Sequence, residues 1–512
     1  MYDTLIVGGK IVDGSGRPAY SADVALADGC IAAIGRLAES EACRRVDAAG
    51  LVIAPGFIDP HVHSEIGLLT NGCAAAAIAQ GVTTHLLGAD GFGYAPLSPA
   101  RLAEMREHLA SIHDAPTLGW DWRTYDEYIS LYDRRVPINV AGQVPHHAIR
   151  LEVMGWNARH PSATEMDRMK GLTADVMSAG AVAFATGLDY FPGLYSDTEE
   201  LIELCRVVAR YGGVFVAHVR YWLGSVEAGV REALQIGQAA GVPVHLSHLF
   251  GGDELFELLE TARRDGLDVS FDSYPYTAGV SPLTMFLPHW AQRGSPSDVI
   301  TRLQEPAVRR RLRDEWVPTL RPPNEWHRYI LSGIGFGPNE HLAGRSIAEL
   351  VGNNEESLVE LVCNLLVAER LRVTVIEFWL DETMVRRSMT HPAQMVMTDG
   401  VFTRAPHPRG FHTYPRILGH YVRQQRLLSL EDAVRRMSGF PAARFGLRDR
   451  GRIEEGMAAD IVIFDPEKVS DRGTYQNPTP APIGISYVFV NGELVLDGGK
   501  LITATPGRAL RK

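Results

Sequence analysis

Short apolar runs recur along the chain, and each ends in a polar side chain able to bind a metal or move a proton. Leu51–Ala54 and then Phe57-Ile58 lead into His61 and His63, with Pro55-Gly56 as a turn between them. Gly213–Ala217 is closed by His218, Val242–Ser247 by His248, and Gln394–Thr398 by Asp399. Their length and β-branched content predict strands. Between them lie helix-like stretches such as Ser225 to Ala240 and Glu254 to Asp265. Strands alternating with helices imply βα units and a parallel sheet. In a closed (β/α)8 barrel the C-terminal strand ends converge on one mouth, where active sites are built. The expectation is therefore an α/β fold, a (β/α)8 TIM-type barrel over 56–450.

The two ends of the chain have a different texture. Residues 1–55 hold short strands broken by glycines: Leu5-Ile6-Val7, Ile11-Val12, Val24-Ala25-Leu26 and Ile31 to Ile34. Residues 451–512 repeat it with Ile461–Phe464, Tyr487–Val490 and Leu494–Leu496. Neither end has enough strands to stand alone, so together they are expected to form one small β-sandwich. Ser429 is a predicted N-cap, with Glu431 and Asp432 in the first helical turn. The segment 279–395 is expected to be helix-rich with proline joints and to lie over the barrel mouth. Its size fits either a lid or a subunit contact in a homo-oligomer.

His61 and His63 are two residues apart, which on a strand puts both imidazoles on one face and within reach of one metal ion. A His-x-His pair also arises by chance, and His218 or His248 alone reads equally well as a hydrogen-bonded core histidine. Asp399 precedes Gly400, and Asp-Gly is also a turn signal. What favours chemistry is the set: His, His, His and Asp at separate strand ends draw a mononuclear or dinuclear metal site. Three protein ligands plus water is the catalytic zinc pattern.

Composition narrows the field. The chain has 512 residues, 46% hydrophobic and 22% charged, with a net charge of −11. Such an acidic balance, without basic clusters, argues against a nucleic-acid partner. No apolar run reaches the roughly 18 residues of a membrane span. The N-terminus reads as a strand rather than a signal peptide. The five cysteines (Cys30, Cys43, Cys73, Cys205, Cys363) are scattered and odd in number, so buried free thiols in a reducing cytoplasm are expected.

Several blocks, in order and spacing, resemble the amidohydrolase superfamily and, within it, the N-acyl-D-amino-acid deacylase (D-aminoacylase) family. They are Asp3–Gly9 with Ile11–Gly14, Pro55–His63, Gly81–Thr84, Thr186–Leu188 with Tyr195–Thr198, and Asp272–Ala278. His407–Gly410 with Pro415-Arg416, Gly456–Val462 and Val490–Gly492 complete the set. The resemblance implies that His61, His63, His218 and His248 bind one or two Zn²⁺ ions, in two positions. It also implies that Asp399 takes a proton from activated water and hands it to the leaving nitrogen.

Two departures from the family pattern stand out. The strand Ala181–Thr186 has no lysine to bridge two metals, and where the family places a cysteine ligand this chain has Asp90, in Gly88-Ala89-Asp90-Gly91-Phe92. A carboxylate binds Zn²⁺ and, being harder than thiolate, tolerates Mn²⁺ or another divalent ion better. Asp90 is read as a ligand and potential bridge, or else as a turn residue. The second departure concerns the substrate. A family lysine that helps hold the substrate carboxylate is Phe250 here, and the family's Arg-Asn-Glu after the second-site histidine reads Arg220-Tyr221-Trp222. Arg409 remains to pair with a carboxylate, and Tyr274 or Tyr276 can donate to it or to the scissile carbonyl. Phe250, Tyr221 and Trp222 either form an apolar pocket wall or pack under the lid. His85 is read as structural; His146 and His147 are left without a role.

Three functions are weighed. The first is a metal-dependent amide hydrolase acting on a small-molecule N-acyl-D-amino acid or a related N-acyl compound. The second uses the same chemistry on a cyclic amide, lactam, carbamate or ester with an apolar group. The third is a non-enzymatic scaffold, which loss of the metal ligands would mark.

Overall fold

The computed structural model describes every residue except 71, 114–117, 222, 223 and 336. Its centre is parallel. Phe57–Asp59, Val82–Leu87 and Asn139–Gly142 form one parallel ladder. Val144–Pro145, Ala183–Gly187, Val214–His218, Val244–Leu246, Val269–Ser273 and Gln394–Val396 form a second. Val62–His63 pairs in parallel with Gly400–Val401. The helices expected between strands are present, among them Val226–Ala240 and Asp253–Arg264.

Side chains of these strands alternate between two cores, as the period of two requires. In Val214–His218, Phe215 and Ala217 join the large cluster packed under the helices. Val214 and Val216 join a second cluster with Ile58, Leu86, Ala183, Ala185 and Met395, closed below by Ala442, Phe445 and Leu447. The sheet is thus buried on both faces, so its strands are largely apolar, and the polar side chains within them, such as His85, His245 and Asp272, are themselves buried.

The terminal segments build two further sheets. One contains Tyr2–Val7, Asp23–Ala27, Cys30–Gly35 and Ala42–Asp47; the other runs from Lys500–Leu501 through Glu493–Asp497, Ile485–Val490 and Ile461–Phe464 to Val52–Pro55, Lys10–Ile11 and Tyr20–Ser21. Both contribute to one apolar cluster, with Ile6, Val24 and Leu26 against Ile53, Ile461, Ile463 and Phe489. The last residues depart from the expected boundary: Ala509–Leu510 pairs with Asn139–Gly142 in the central parallel ladder. That strand would otherwise leave a row of unpaired backbone groups at its end.

The insert is less purely helical than expected. Gly279–Pro282, Val373–Glu377 and Tyr329–Ile334 form an antiparallel sheet, and the insert has its own apolar core around Leu283, Trp316, Trp326, Leu358 and Leu366. Among the described residues no helix is long and apolar enough to cross a membrane. The five cysteines are unpaired; Cys73, Cys205 and Cys363 are buried, whereas Cys30 and Cys43 are exposed on the terminal sheet, contrary to the uniform burial expected.

Candidate metal centre

Each of the six candidate ligands sits at or just beyond a strand end. His218 is the last residue of Val214–His218. His248 and Asp399 follow Val244–Leu246 and Gln394–Val396, and Asp90 lies in the 3₁₀ turn Ala89–Gly91 after Val82–Leu87. The histidine pair differs from the expected geometry. His61 occupies the bend between Phe57–Asp59 and Val62–His63, so the two residues do not share one continuous strand face. They converge nonetheless, because Val62–His63 is held against Gly400–Val401.

Asp90, His248 and Asp399 have left-handed backbones, with φ of 56°, 37° and 46°. Such conformations cost about 1–3 kcal/mol each and persist where surrounding contacts enforce them. Here the contacts are visible. Asp272 Oδ1 accepts from the His248 backbone N–H at 2.5 Å, and His61 O accepts from Asp399 N–H at 2.9 Å. Asp59 staples the same corner, accepting from the Thr398 hydroxyl at 2.5 Å and from the backbone N–H groups of Thr398 and His61.

Asp90 lies at the centre. Its Oδ1 is 3.6 Å from His61 Nε2, 3.8 Å from His218 Nδ1 and 3.8 Å from His248 Nε2. Its Oδ2 is 3.5 Å from His63 Nε2. Asp399 Oδ1 lies 3.7 Å from His61 Nε2 and 3.4 Å from His63 Nε2. His218 Nδ1 and His248 Nε2 are 2.9 Å apart. Two groups therefore have donor atoms all within 4.8 Å of one another: His61, Asp90 and His248, and His61, His63 and Asp399.

The electrostatics suit a cation. Burial disfavours a charged imidazole, but Asp90, Asp399 and Asp272 overcome it and push His61 up to about 10. Burial likewise opposes charge on His63, yet Asp399 and Asp90 raise it to about 9. Against the same burial, His61, His248 and His63 hold Asp90 well below the ordinary carboxylate range. Both ring nitrogens of His61, and Oδ1 of Asp90, are buried without a hydrogen-bond partner among the described residues. Orphaned imidazole and carboxylate atoms facing one another at these distances fit a divalent metal ion.

Groups behind the ligands orient them. Asp189 Oδ2 is 3.2 Å from His218 Nε2, which leaves Nδ1 turned toward Asp90. Asp272 Oδ2 is 3.8 Å from His61 Nδ1 and 2.9 Å from His245 Nε2. Glu65 accepts from Gly88 N–H at 2.8 Å and stands 2.7 Å from His113 Nε2; with His63 these two make a third close group. Carboxylate–histidine pairs of this kind set the tautomer and ring orientation of metal ligands. Sequence reasoning missed Asp189, Glu65 and His113. Asp272 lies in the quoted Asp272–Ala278 block but carried no role there.

A cavity of 340 Å³ opens onto the centre, lined by His63, Asp90, His218, His248 and Asp399. Among the expected substrate residues, Arg409, Tyr274 and Tyr221 line it. Arg409 is buried, with Nη2 2.8 Å from Asp399 Oδ2 and its guanidinium 4.6 Å over the Tyr274 ring. Phe250, Tyr276 and Arg220 are not lining residues. Phe250 packs behind Tyr274 and Trp379, Tyr276 meets His407 edge-on under Arg416, and Arg220 is held by Glu232 and by the carbonyls of Leu194 and Ser196. A buried guanidinium needs such partners, which turns it away from the cavity. Trp222 lies outside the described residues. His85 donates to or accepts from Ser64 at 2.9 Å, while His146 bonds Thr186 and Glu200 and His147 bonds the Gly187 carbonyl.

This arrangement agrees with the sequence relationships. The Amidohydrolase family model matches residues 44–289 and 355–496. The chain is 36% identical to an N-acyl-D-glutamate deacylase and 34% identical to a D-aminoacylase, both of Alcaligenes xylosoxydans xylosoxydans. These alignments cover all of this chain and 96% and 98% of those proteins. It belongs to the amidohydrolase family. Within that family it stands with the D-aminoacylases. The N-acyl-D-glutamate deacylase of Bordetella bronchiseptica, solved with zinc and a phosphonate mimic of the tetrahedral intermediate, superposes with a TM-score of 0.84 at 31% identity over the full length of both chains. In this amidohydrolase the Asp90 carboxylate is within 4 Å of all four histidines.

Proposed function

We propose that this amidohydrolase cleaves the amide bond of N-acyl-D-amino acids with water, in a site where His61, His63, Asp90, His218, His248 and Asp399 hold one or two Zn²⁺ ions. The observation that carries this reading is the convergence of four histidines and two aspartates on one centre, where His63, His218, His248, Asp90 and Asp399 line a cavity that Arg409 and Tyr274 also line. Its full-length relatives deacylate D-aminoacyl and N-acyl-D-glutamate substrates, as their names state. When bound there, the metal acidifies water and polarises a carbonyl oxygen.

The chain's own residues do the rest. Arg409 and Tyr274 face the cavity beside Asp399 and orient a substrate carboxylate, which fixes the scissile carbonyl over the metal-binding wall. Asp399, against burial, is kept ionised by Arg409 and the histidines. In that state Oδ1 accepts the proton of the attacking water and passes it to the amide nitrogen as the C–N bond breaks. Tyr221 closes the side of the cavity next to His218 and His248. Phe250 no longer supports a cyclic or apolar substrate, because it lies behind Tyr274.

On the larger scale we read the two parallel ladders as one closed (β/α)8 barrel. Val182 N–H donates to Gly142 O, and Asp399 N–H donates to His61 O, which supports a join at both places. The two terminal sheets, sharing one apolar cluster, are read as a β-sandwich flanking it.

The test is metal content per chain together with turnover of paired N-acetyl-D- and N-acetyl-L-amino acids, before and after chelation. Metal-dependent, D-selective release of the amino acid is expected. Bound metal without turnover of any acyl amino acid would overturn the reading.

A further inference from the structure

The cavity does not end at the metal-binding wall. It runs past Tyr274 to the insert, where Gly279, Val280, Pro282, Met285, Thr374 and Trp379 continue its lining, together with Arg321 and Glu377. Glu377 is the last residue of Val373–Glu377 and is register partner of Gly279 across the antiparallel ladder. A Cβ at Gly279 would stand 3.2 Å from both the Tyr274 hydroxyl and Trp379 Nε1. Glycine therefore keeps the passage between the two halves of the cavity open.

The lining contains two arginines, Arg409 and Arg321. Arg409 is already matched by Asp399 at 2.8 Å. Arg321 is held at 3.1 Å by Glu325, but its contact with Glu377 is loose, with Nε 3.9 Å from Oε1. A loose, partly exposed pair of this kind contributes little and exchanges partners readily. Burial also raises Glu377 above the usual carboxylate range, which lowers the cost of uncoupling it from Arg321.

We propose that Arg321 is a specificity-determining residue, a guanidinium carried by the insert that receives a second, distal carboxylate of the substrate in exchange for Glu377. The preferred substrates are then N-acyl amino acids with an acidic side chain. The α-carboxylate goes to Arg409 and the side-chain carboxylate to Arg321, whose planar fork matches a carboxylate with two parallel hydrogen bonds. The assignment rests on the amide-hydrolase reading for the orientation of the substrate, but its test does not require turnover.

The experiment measures dissociation constants of the product amino acids D-glutamate and D-leucine for the metal-loaded enzyme by calorimetry. Wild type, R321M, R321K and E377Q are compared, and N-acetyl-D-glutamate turnover is followed in parallel. Wild type is expected to favour D-glutamate. R321M is expected to cut that preference by about tenfold, R321K to restore part of it, and E377Q to keep or increase it. Equal losses for both ligands in R321M, an unchanged preference, or a wild type that binds D-leucine as well as D-glutamate would overturn the proposal. Selective binding without turnover would instead overturn the amide-hydrolase reading and leave the role of Arg321 standing.

Discussion

Arg409 Nη2 stands 2.8 Å from Asp399 Oδ2, with both side chains buried at the edge of the metal-binding wall. The pairing ties the carboxylate proposed to move the proton to the residue proposed to orient substrate. One oxygen of Asp399 faces His61 and His63, and the other faces Arg409. Asp399 is thereby held in one rotamer and in its ionised form.

Removing the cation should therefore harm more than substrate binding. Arg409→Met leaves Asp399 as a buried carboxylate without its charge partner, so kcat is expected to fall together with kcat/KM, by roughly 10²-fold or more. Arg409→Lys keeps the charge without the planar fork and should lose less kcat. Steady-state kinetics on both variants checks this; a rise in KM alone for Arg409→Met would reduce Arg409 to a binding residue.

Asp399→Asn keeps the shape and loses the base. A fall in kcat of about 10²- to 10⁴-fold is expected. Metal should remain bound, since Asp90, His218, His248 and the His61–His63 pair are intact. Metal analysis beside turnover tests it, and near-normal kcat would remove Asp399 from proton transfer.

Asp90 touches every histidine of the centre. Asp90→Ala should lower metal per chain after dialysis, whereas Asp90→Cys, which supplies a thiolate ligand of similar reach, should retain zinc. Unchanged stoichiometry in Asp90→Ala would make Asp90 a turn residue.

Away from the site, buried Glu200 accepts from His146 at 3.0 Å and from Arg150. Burial raises its pKa, but His146 and Arg150 bring it below the ordinary 4.5. A depressed carboxylate stabilises the fold fully above its unfolded pKa and loses that contribution as pH falls through the folded value. Glu200→Gln should thus be destabilised by about 3 kcal/mol near neutrality, where Arg150 loses its partner. The gap to wild type should narrow below pH 4.5. Thermal unfolding from pH 7 down to pH 3 measures it; a gap that widens on acidification would contradict the sign.

Much of this molecule was legible beforehand, for identifiable reasons. His218, His248 and Asp399 could be placed because each closes a short, largely apolar run, and the C-terminal ends of parallel strands are where such side chains gather. Asp90 could be singled out because a carboxylate stood where the family resemblance led one to expect a cysteine. Phe250 and Arg220 misled for one reason: neighbours in sequence at a strand end alternate in direction, and chain order does not say which of them faces the cavity.

The sequence by itself determined the parallel α/β character of the core, the β-rich texture of the two chain ends, and which His and Asp residues were ligand candidates. Those follow from periodicity and residue type, which are local properties. Only the tertiary structure decided that Asp189, Asp272, Glu65 and His113 stand behind the ligands. The same holds for the match of Arg409 to Asp399, and for the far end of the cavity being made by Arg321 and Glu377 of the insert. Each of these joins residues far apart in the chain. Their meeting depends on how strand ends and the insert pack in three dimensions, and no local pattern encodes that.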